Sequence, residues 1–269
     1  MSDLSTPENQ RAIELQIEVP GTPEEVWQAI ATGPGIGSWY VPHTMEEREG
    51  GTAVASFGPG PEMQVTGRVA AWEPPRRVVF DSGESEGGLA FEWLVEARDG
   101  GSCMVRLVNS GFGDGAEWDD QYDGMTEGWK LFLLNLKLHL THFPGQVATA
   151  VQPSSMWAGP PDDAWKVLTT ELALPAELSD GDRVALSGAG APPLAGQVVD
   201  VGPYRLALVV DQPARGTAFL AVEGQGETVA VSVWSWLYGA EGAAAAERDR
   251  PVWQSWLDRH AVQPEMAAG

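Results

Sequence analysis

The sequence predicts an α+β fold in which an antiparallel sheet wraps around one long C-terminal helix, present in two tandem copies. Three observations predict it. Segment 124–143 has the apolar periodicity of a long helix, and a series of short alternating segments typical of strands precedes it. Two short helical segments stand before that series. After residue 145 strand-like and helix-like segments occur again in the same order, over a shorter length.

Length and composition set the first limits. The chain has 269 residues, enough for two domains of ordinary size, and 43% of them are hydrophobic. A net charge of −22 repels phosphate backbones and anionic lipid, so we expect neither a nucleic acid nor a membrane partner. The single cysteine, Cys103, excludes an internal disulfide, and no apolar run reaches membrane-spanning length. We therefore expect a cytoplasmic protein.

The first copy opens with a disordered lead at 1–11 and a strand at 12–19, where apolar and charged residues alternate. A threonine, a proline and two glutamates at 22–25 are typical of a capped helix N-terminus. Segment 34–40 predicts a second, shorter helical turn that ends in two aromatic residues.

Six strand segments follow, joined by turns rich in glycine and proline. They are 44–48, 52–57, 63–72, 76–81, 89–97 and 102–110. In the fifth strand Phe91, Trp93 and Val95 face one side of the sheet. Glu92 and Glu96 face the other side, so the sheet has one apolar and one wet face. The long helix must cover the apolar face.

The long helix is apolar on two sides. Its broader stripe faces the sheet and consists of Met125, Trp129, Phe132, Leu133, Leu136, Leu140 and Phe143. On the opposite side Leu131, Leu134 and Leu138 form a narrower stripe, whose exposure would favour association. We therefore expect the second copy, or the mate in a homodimer, to pack on this narrower stripe.

Three motifs carry a family resemblance. They are Thr-Pro-Glu-Glu-Val-Trp at 22–27, Glu-Pro-Pro-Arg-Arg-Val-Val-Phe at 73–80, and Asn-Ser-Gly-Phe at 109–112 followed by Gly128 and Trp129. In this order they make 12–143 resemble the START-like (SRPBCC) superfamily, which includes the birch-pollen allergen, and its branch of heat-shock protein 90 ATPase activator homologues. The resemblance implies a helix-grip fold, a cup whose cavity between sheet and long helix holds apolar small molecules.

The second copy is recognised by matches that keep the order of the first at nearly constant separations. The matched pairs are 67–81 with 196–211, 23–27 with 161–165, Gly51 with Gly181, and Gly111 with Gly239. We therefore expect START-like domains at 12–145 and 146–262, the second degenerate, with a tail at 263–269. The alternative is a single unrelated β-rich domain after residue 145.

The elements of the second copy include a strand pair at 217–223 and 228–237 and a closing helix at 241–260, which Pro251 interrupts or delays. The segment after its first helix is shorter than in the first copy. We expect it to have lost the second short helix and part of the cavity.

Aromatic residues are the strongest functional signal. We expect eight residues to line the cavity: Trp39, Tyr40, His43, Phe91, Trp93, Met125, Trp129 and Phe132. No nucleophile and base stand at a recognisable spacing, so we predict no catalytic residue and leave enzymatic activity open. His43 and Asn109 are the candidates if the chain catalyses a reaction.

We expect no metal and no cofactor. His139 and His142 are spaced to seat a metal but lack a third ligand. Asp119, Asp120 and Asp123 imitate the start of a calcium loop, but lysine stands where that loop requires a glutamate ligand.

The sequence therefore predicts a module that binds an apolar small molecule, as a carrier or a sensor. Two alternatives remain on the same fold. One is a protein-interaction role similar to that of the chaperone activator, and the other is an enzyme similar to polyketide cyclases.

Overall fold

The computed structural model describes residues 11–58, 60–83, 88–113, 115 and 118–262. The chain divides into two compact units, Met1–Val147 and Ala148–Gly269. The expected lead and the tail at 263–269 lie outside the described residues, except for Arg11. That residue begins the first strand, so it does not belong to a disordered lead.

In its described residues the first unit consists of a seven-stranded antiparallel sheet and three α-helices. Its elements are β1 (Arg11–Pro20), α1 (Pro23–Ala31), α2 (Gly33–Gly37), β2 (His43–Met45), β3 (Thr52–Ser56), β4 (Gln64–Glu73), β5 (Arg77–Asp81), β6 (Ala90–Arg98), β7 (Ser102–Phe112) and α3 (Asp119–His142). The strand order is β1-β7-β6-β5-β4-β3-β2. A short 3₁₀ turn at Pro61–Met63 includes Met63, where the sequence predicted the start of a strand.

The helix ends of the first unit follow from local chemistry. Thr22 caps α1 in a capping box, in which its hydroxyl accepts from Glu25 N–H at 3.3 Å and the Glu25 carboxylate accepts from Thr22 N–H at 2.8 Å. The long helix α3 begins at Asp119, five residues before the expected start at 124. Its acidic residues therefore lie in the first turns, where the helix dipole favours negative charge. Arg11 forms an ion pair with Asp119 at this end of the helix.

The second unit repeats the plan with its own sheet. Its elements are β8 (Ala148–Val151), β9 (Ser154–Ala158), α4 (Pro161–Glu171), β10 (Arg183–Leu186), β11 (Leu194–Gly202), β12 (Arg205–Gln212), β13 (Gly216–Glu223), β14 (Thr228–Tyr238) and α5 (Gly239–Leu257). The order is β10-β11-β12-β13-β14-β8, and β9 also pairs with β14. Both short strands meet β14 in one register, so they form a single edge strand interrupted at Gln152 and Pro153.

The repeat extends to an irregularity of the sheet. The β4–β5 register shifts between Val69 and Ala71, and the β11–β12 register shifts between Val198 and Asp200. Each shift is held by a glycine turn, because Val69 accepts from Gly50 N–H at 2.8 Å and Val198 accepts from the corresponding glycine N–H at 2.9 Å. The chain is thus two tandem helix-grip copies.

Two of the sequence matches are out of register. The backbone bonds at the bulges pair Gly181 with Gly50 and not with Gly51. Tracing equivalent residues from strand to strand aligns Gly111 with Leu237 and not with Gly239. The same tracing aligns β1 with β8 and β9 at the sequence separation that relates α1 to α4, so the duplication itself stands.

The prediction that Pro251 interrupts or delays the closing helix was wrong. Helix α5 starts at Gly239 and runs through Pro251 without a break. On the two sides of the proline, Arg250 donates to the Ala150 carbonyl and Gln254 to the Ser154 carbonyl, each at 2.9 Å. These bonds tie the helix to the edge strand and offset the backbone bond that proline cannot make. The described residues 172–182 contain no helix, so the second copy lacks a counterpart of α2.

Helix α3 is buried around most of its circumference in its second half. In the narrower stripe Leu131 and Leu138 are buried and Leu134 is half-buried. The pairing of this stripe with the second copy or with a dimer mate stays a prediction. Among the described helices, none combines the length and apolar character needed to cross a membrane.

Candidate functional site

A cavity of about 510 Å³ lies between the sheet of the first unit and α3. Its lining includes all eight residues singled out in the sequence: Trp39, Tyr40, His43, Phe91, Trp93, Met125, Trp129 and Phe132. The sequence did not single out the rest of the lining, which is Ile30, Ile36, Ala53, Ala55, Phe57, Val65, Thr66, Gly67, Phe80, Asp81, Ser82, Leu89 and Gly128. Their alternation along the strands was the available signal, but it does not say which apolar residues border an empty space.

The wall near α2 is fixed by backbone contacts. Trp39 donates its indole N–H to the Ala29 carbonyl at 2.8 Å, and its own carbonyl accepts from the Asn135 amide at 2.8 Å. The turn itself requires glycine at its start, because a Cβ on Gly33 would lie 2.9 Å from the His43 carbonyl oxygen. These contacts fix Trp39 and the backbone at His43.

The wall formed by α3 is set by a buried asparagine. Asn109 is fully buried, accepts the Trp129 indole N–H at 3.2 Å and donates to the Ala90 carbonyl at 3.2 Å. Its amide therefore orients Trp129 against β6 and β7. Asn109 is not part of the cavity lining, so the structure gives this catalytic candidate a positioning role.

Aromatic rings touch one another around the cavity. Tyr40 stacks on Trp129 with ring centroids 5.1 Å apart and meets Phe132 edge-on at 4.5 Å. Trp93 meets both Trp39 and Trp129 edge-on, at 5.5 and 5.6 Å. Each such pair contributes about 0.5–1.5 kcal/mol beyond the burial of its area. The cavity therefore has a stiff, preformed aromatic wall.

His43 brings a polar atom into this apolar space. Its Nδ1 is buried and has no hydrogen-bond partner among the described residues. Burial lowers the pKa of His43 to about 4, and the Val41 backbone near the ring offsets this effect only in part. The imidazole is therefore neutral at pH 7. Burial likewise raises the pKa of Tyr40, so its phenol stays protonated.

The lining contains one carboxylate, Asp81, which is partly exposed to solvent. Burial tends to raise the pKa of Asp81, but hydrogen bonds from Arg68 and the Gly83 N–H outweigh it and lower the pKa. Arg68 contacts both carboxylate oxygens, at 2.8 and 3.1 Å. The lining residues Phe57 and Val65 are 45% and 60% exposed, so the cavity is open to solvent beside them.

The histidines of α3 do not meet at one site. His139 is buried, and burial lowers its pKa to about 4, whereas His142 is exposed. Within the described part of the chain, no group of three or more His, Cys, Asp or Glu residues is placed to hold a metal ion.

The match to a known protein family lies within the first unit. Residues 20–141 match the family model described as activator of Hsp90 ATPase homolog 1-like protein. An uncharacterized protein of Mycobacterium tuberculosis is 30% identical over 111 residues, which cover 37% of this chain and 77% of that protein.

Two solved structures are among those similar to this chain. The Aha1 dimer from Colwellia psychrerythraea is 22% identical and covers 48% of this chain and 96% of that chain, with a TM-score of 0.41. The di-domain ARO/CYC protein BexL, from the BE-7585A biosynthetic pathway, is 15% identical and covers 94% of this chain and 100% of that chain, with a TM-score of 0.42.

Proposed function

Because the chain belongs, through residues 20–141, to the activator of Hsp90 ATPase homolog 1-like family, we propose a function on that fold. The first unit binds an apolar small molecule between its sheet and α3, as a carrier or a sensor of that molecule. Family membership alone does not fix function, so the proposal depends on the site. The observation that carries it is the cavity of about 510 Å³ with its aromatic wall.

The size and the stiffness of the cavity support binding. Pockets for small ligands commonly measure about 300–1,000 Å³ and are mainly apolar with a few polar groups. The wall is held by Ala29, Asn109 and Asn135, so little side-chain freedom would be lost on binding. A ligand would replace missing packing contacts of the surrounding rings and should stabilise the unit.

The test fills the cavity from a position that tolerates a side chain. Gly128 of α3 borders the cavity, and a Cβ there meets nothing within 4 Å. We expect Gly128→Phe to occupy the space and to weaken binding of 1-methylpyrene, an apolar fluorescent probe, by about tenfold or more. The matched control is Gly124→Phe on the same helix, which is equally open but lies outside the lining.

Fluorescence titration of the full chain measures the affinity, and native mass spectrometry of the purified protein looks for a co-purifying molecule. Wild type and Gly124→Phe should bind alike. Equal binding by Gly128→Phe would place the probe elsewhere and refute the proposal. A wild-type protein that binds no probe and carries no co-purifying molecule would also refute it.

A further inference from the structure

We propose that the ligand is an aromatic molecule with an uncharged hydroxyl group, and that this hydroxyl hydrogen-bonds to the His43 ring. The inference rests on the proposed function and deepens it, because it names the class of ligand. Its starting point is the Nδ1 atom of His43, which is buried beside the cavity without a hydrogen-bond partner among the described residues.

A buried polar atom without a partner is rare in folded proteins, because burial removes the water that would otherwise satisfy it. The backbone of His43 is fixed beside the cavity. Its backbone pairs with Ala55 in β3, and α2 packs against its carbonyl at Gly33. A molecule in the cavity is therefore the available partner for the Nδ1 atom.

The chemistry of the ring selects the partner group. A neutral imidazole has one donor and one acceptor nitrogen, and a hydroxyl can both donate and accept. A hydroxyl thus satisfies Nδ1 in either tautomer, whereas a carbonyl serves only the tautomer in which Nδ1 donates. The pKa of about 4 keeps the ring neutral at pH 7, so it offers no positive charge to a carboxylate.

Charge in the rest of the lining agrees with an uncharged ligand. Among the described lining residues none is lysine or arginine. The one carboxylate, Asp81, is already engaged by Arg68. Neither an anionic nor a cationic group therefore finds a free counter-charge in the cavity.

The neighbours of His43 favour a ligand whose hydroxyl is attached to an aromatic ring. The His43 ring has two aromatic neighbours, Tyr40 at a centroid distance of 6.1 Å and Phe80 at 6.4 Å. Trp129 and Phe132 continue the same aromatic surface beyond Tyr40. A ring system seated against these faces would bring a hydroxyl on its edge to the imidazole.

The test compares two probes of matched shape, 1-hydroxypyrene and 1-methylpyrene, by fluorescence titration of the full chain at pH 7. We expect about tenfold tighter binding of the hydroxyl compound, since one buried hydrogen bond is at stake. His43→Phe keeps a ring in place but removes both nitrogens, and it should abolish the preference. His142→Phe, on the exposed side of α3, is the matched control and should keep it.

Each outcome decides a separate point. Equal affinity of the two probes for wild type, or tighter binding of the methyl compound, overturns the hydroxyl inference and leaves the proposed function standing. A preference that survives in His43→Phe overturns the role of His43. Binding of neither probe overturns this inference, and the proposed function falls with it if native mass spectrometry also finds no co-purifying molecule. If His43→Phe does not fold, His43→Gln replaces it, and a preference reduced from that of wild type is required.

Discussion

The two copies share the order of their aligned strands and one bulge, yet the first has a cavity where the aligned residues of the second are packed in a core. The registers align Phe91 with Ala218 and Trp93 with Leu220. Both residues of the second copy belong to a continuous hydrophobic core. The same backbone plan is therefore compatible with a cavity or with a packed interior, and side-chain size decides between them.

The long helices α3 and α5 differ in side-chain size in the same way as the strands. The burial pattern of α3 repeats in α5 with Gly242 and Ala245 at the places of Trp129 and Phe132. A Cβ on Gly242 would lie 2.5 Å from the Leu237 carbonyl carbon, so α5 rests directly on the end of its strand. We infer that the large residues on α3 act as spacers that hold the helix off the sheet, and that the small residues on α5 leave no such gap.

The second copy has also lost one side of the cavity. Ile36, Trp39, Tyr40 and His43 come from α2 and the start of β2, and neither element has a counterpart in the described residues of the second unit. The difference teaches that the cavity requires both the spacers on α3 and the segment from α2 to β2.

The largest expected effect tests the spacers. Trp129→Ala should destabilise the first unit by about 3–5 kcal/mol, because it removes a buried indole and leaves the Asn109 amide oxygen without its donor. Chemical denaturation of the full chain measures the free energy of unfolding. Phe57→Ala, at a 45% exposed position of the same lining, is the control and should cost much less. Similar losses for both variants would contradict the spacer role.

Acidification should destabilise the first unit. His43 and His139 have a pKa of about 4 in the folded state and an ordinary value of 6.5, so the unfolded chain binds more protons between these values. The free energy of unfolding of the first unit should therefore fall as the pH drops from about 6.5 towards 4, by up to about 3 kcal/mol for each histidine.

The measurement is a series of denaturation curves between pH 7 and pH 4. His139→Leu should flatten the pH dependence of the first transition, and His142→Leu should leave it unchanged. The second unit contains one histidine, His260, which is half-buried beside Glu171. An equally steep loss in wild type and His139→Leu would disprove the buried-histidine explanation.

Replacing a glycine by alanine should change the stability in opposite directions in the two long helices. Gly242→Ala should cost about 1–3 kcal/mol, because its Cβ has no room against Leu237. Gly128→Ala should gain up to about 1 kcal/mol, because it replaces a helical glycine where a Cβ meets open space. Thermal unfolding gives both values, and two stabilised variants would remove the argument that α5 lies in direct contact.

The two helices also differ on the side that faces away from the sheet. On α3 the narrower leucine stripe is mostly buried, whereas α5 is exposed along one face. If the stripe is covered as we expect, Leu134→Glu should cost about 1–2 kcal/mol in the full chain. Thermal unfolding and sedimentation compare it with Lys137→Glu, an exposed control on the same helix. Unchanged stability and association in Leu134→Glu would contradict the prediction that the second copy or a dimer mate covers the stripe.

The smallest effect concerns the first helix of each copy. Trp27 meets Trp72 edge-on at 5.0 Å, and the aligned pair in the second copy is Trp165 and Val201. A pocket of about 320 Å³ lies beside this second pair. Val201→Trp should fill it and raise the stability of the second unit by about 1 kcal/mol. A lower melting temperature would show that the pocket cannot accept the ring.

Much of the fold could be predicted because it depends on local patterns. The capping box at Thr22, the alternation around Trp93 and the glycine turns are written in neighbouring residues, and the copied order of these patterns revealed the duplication. The path of α5 through Pro251 could not be predicted in this way. It depends on bonds to Ala150 and Ser154, which lie about a hundred residues away.

The sequence by itself determined the strand and helix periods, the aromatic richness of the first copy and the absence of a second cysteine. Only the tertiary structure decided that one copy keeps a cavity, that Asn109 holds Trp129 and that the Nδ1 of His43 is left without a protein partner. The physical reason is that a cavity is the volume left after side chains from many distant segments are packed together. A periodic pattern identifies the face on which a side chain lies, but it does not identify the space left in front of it.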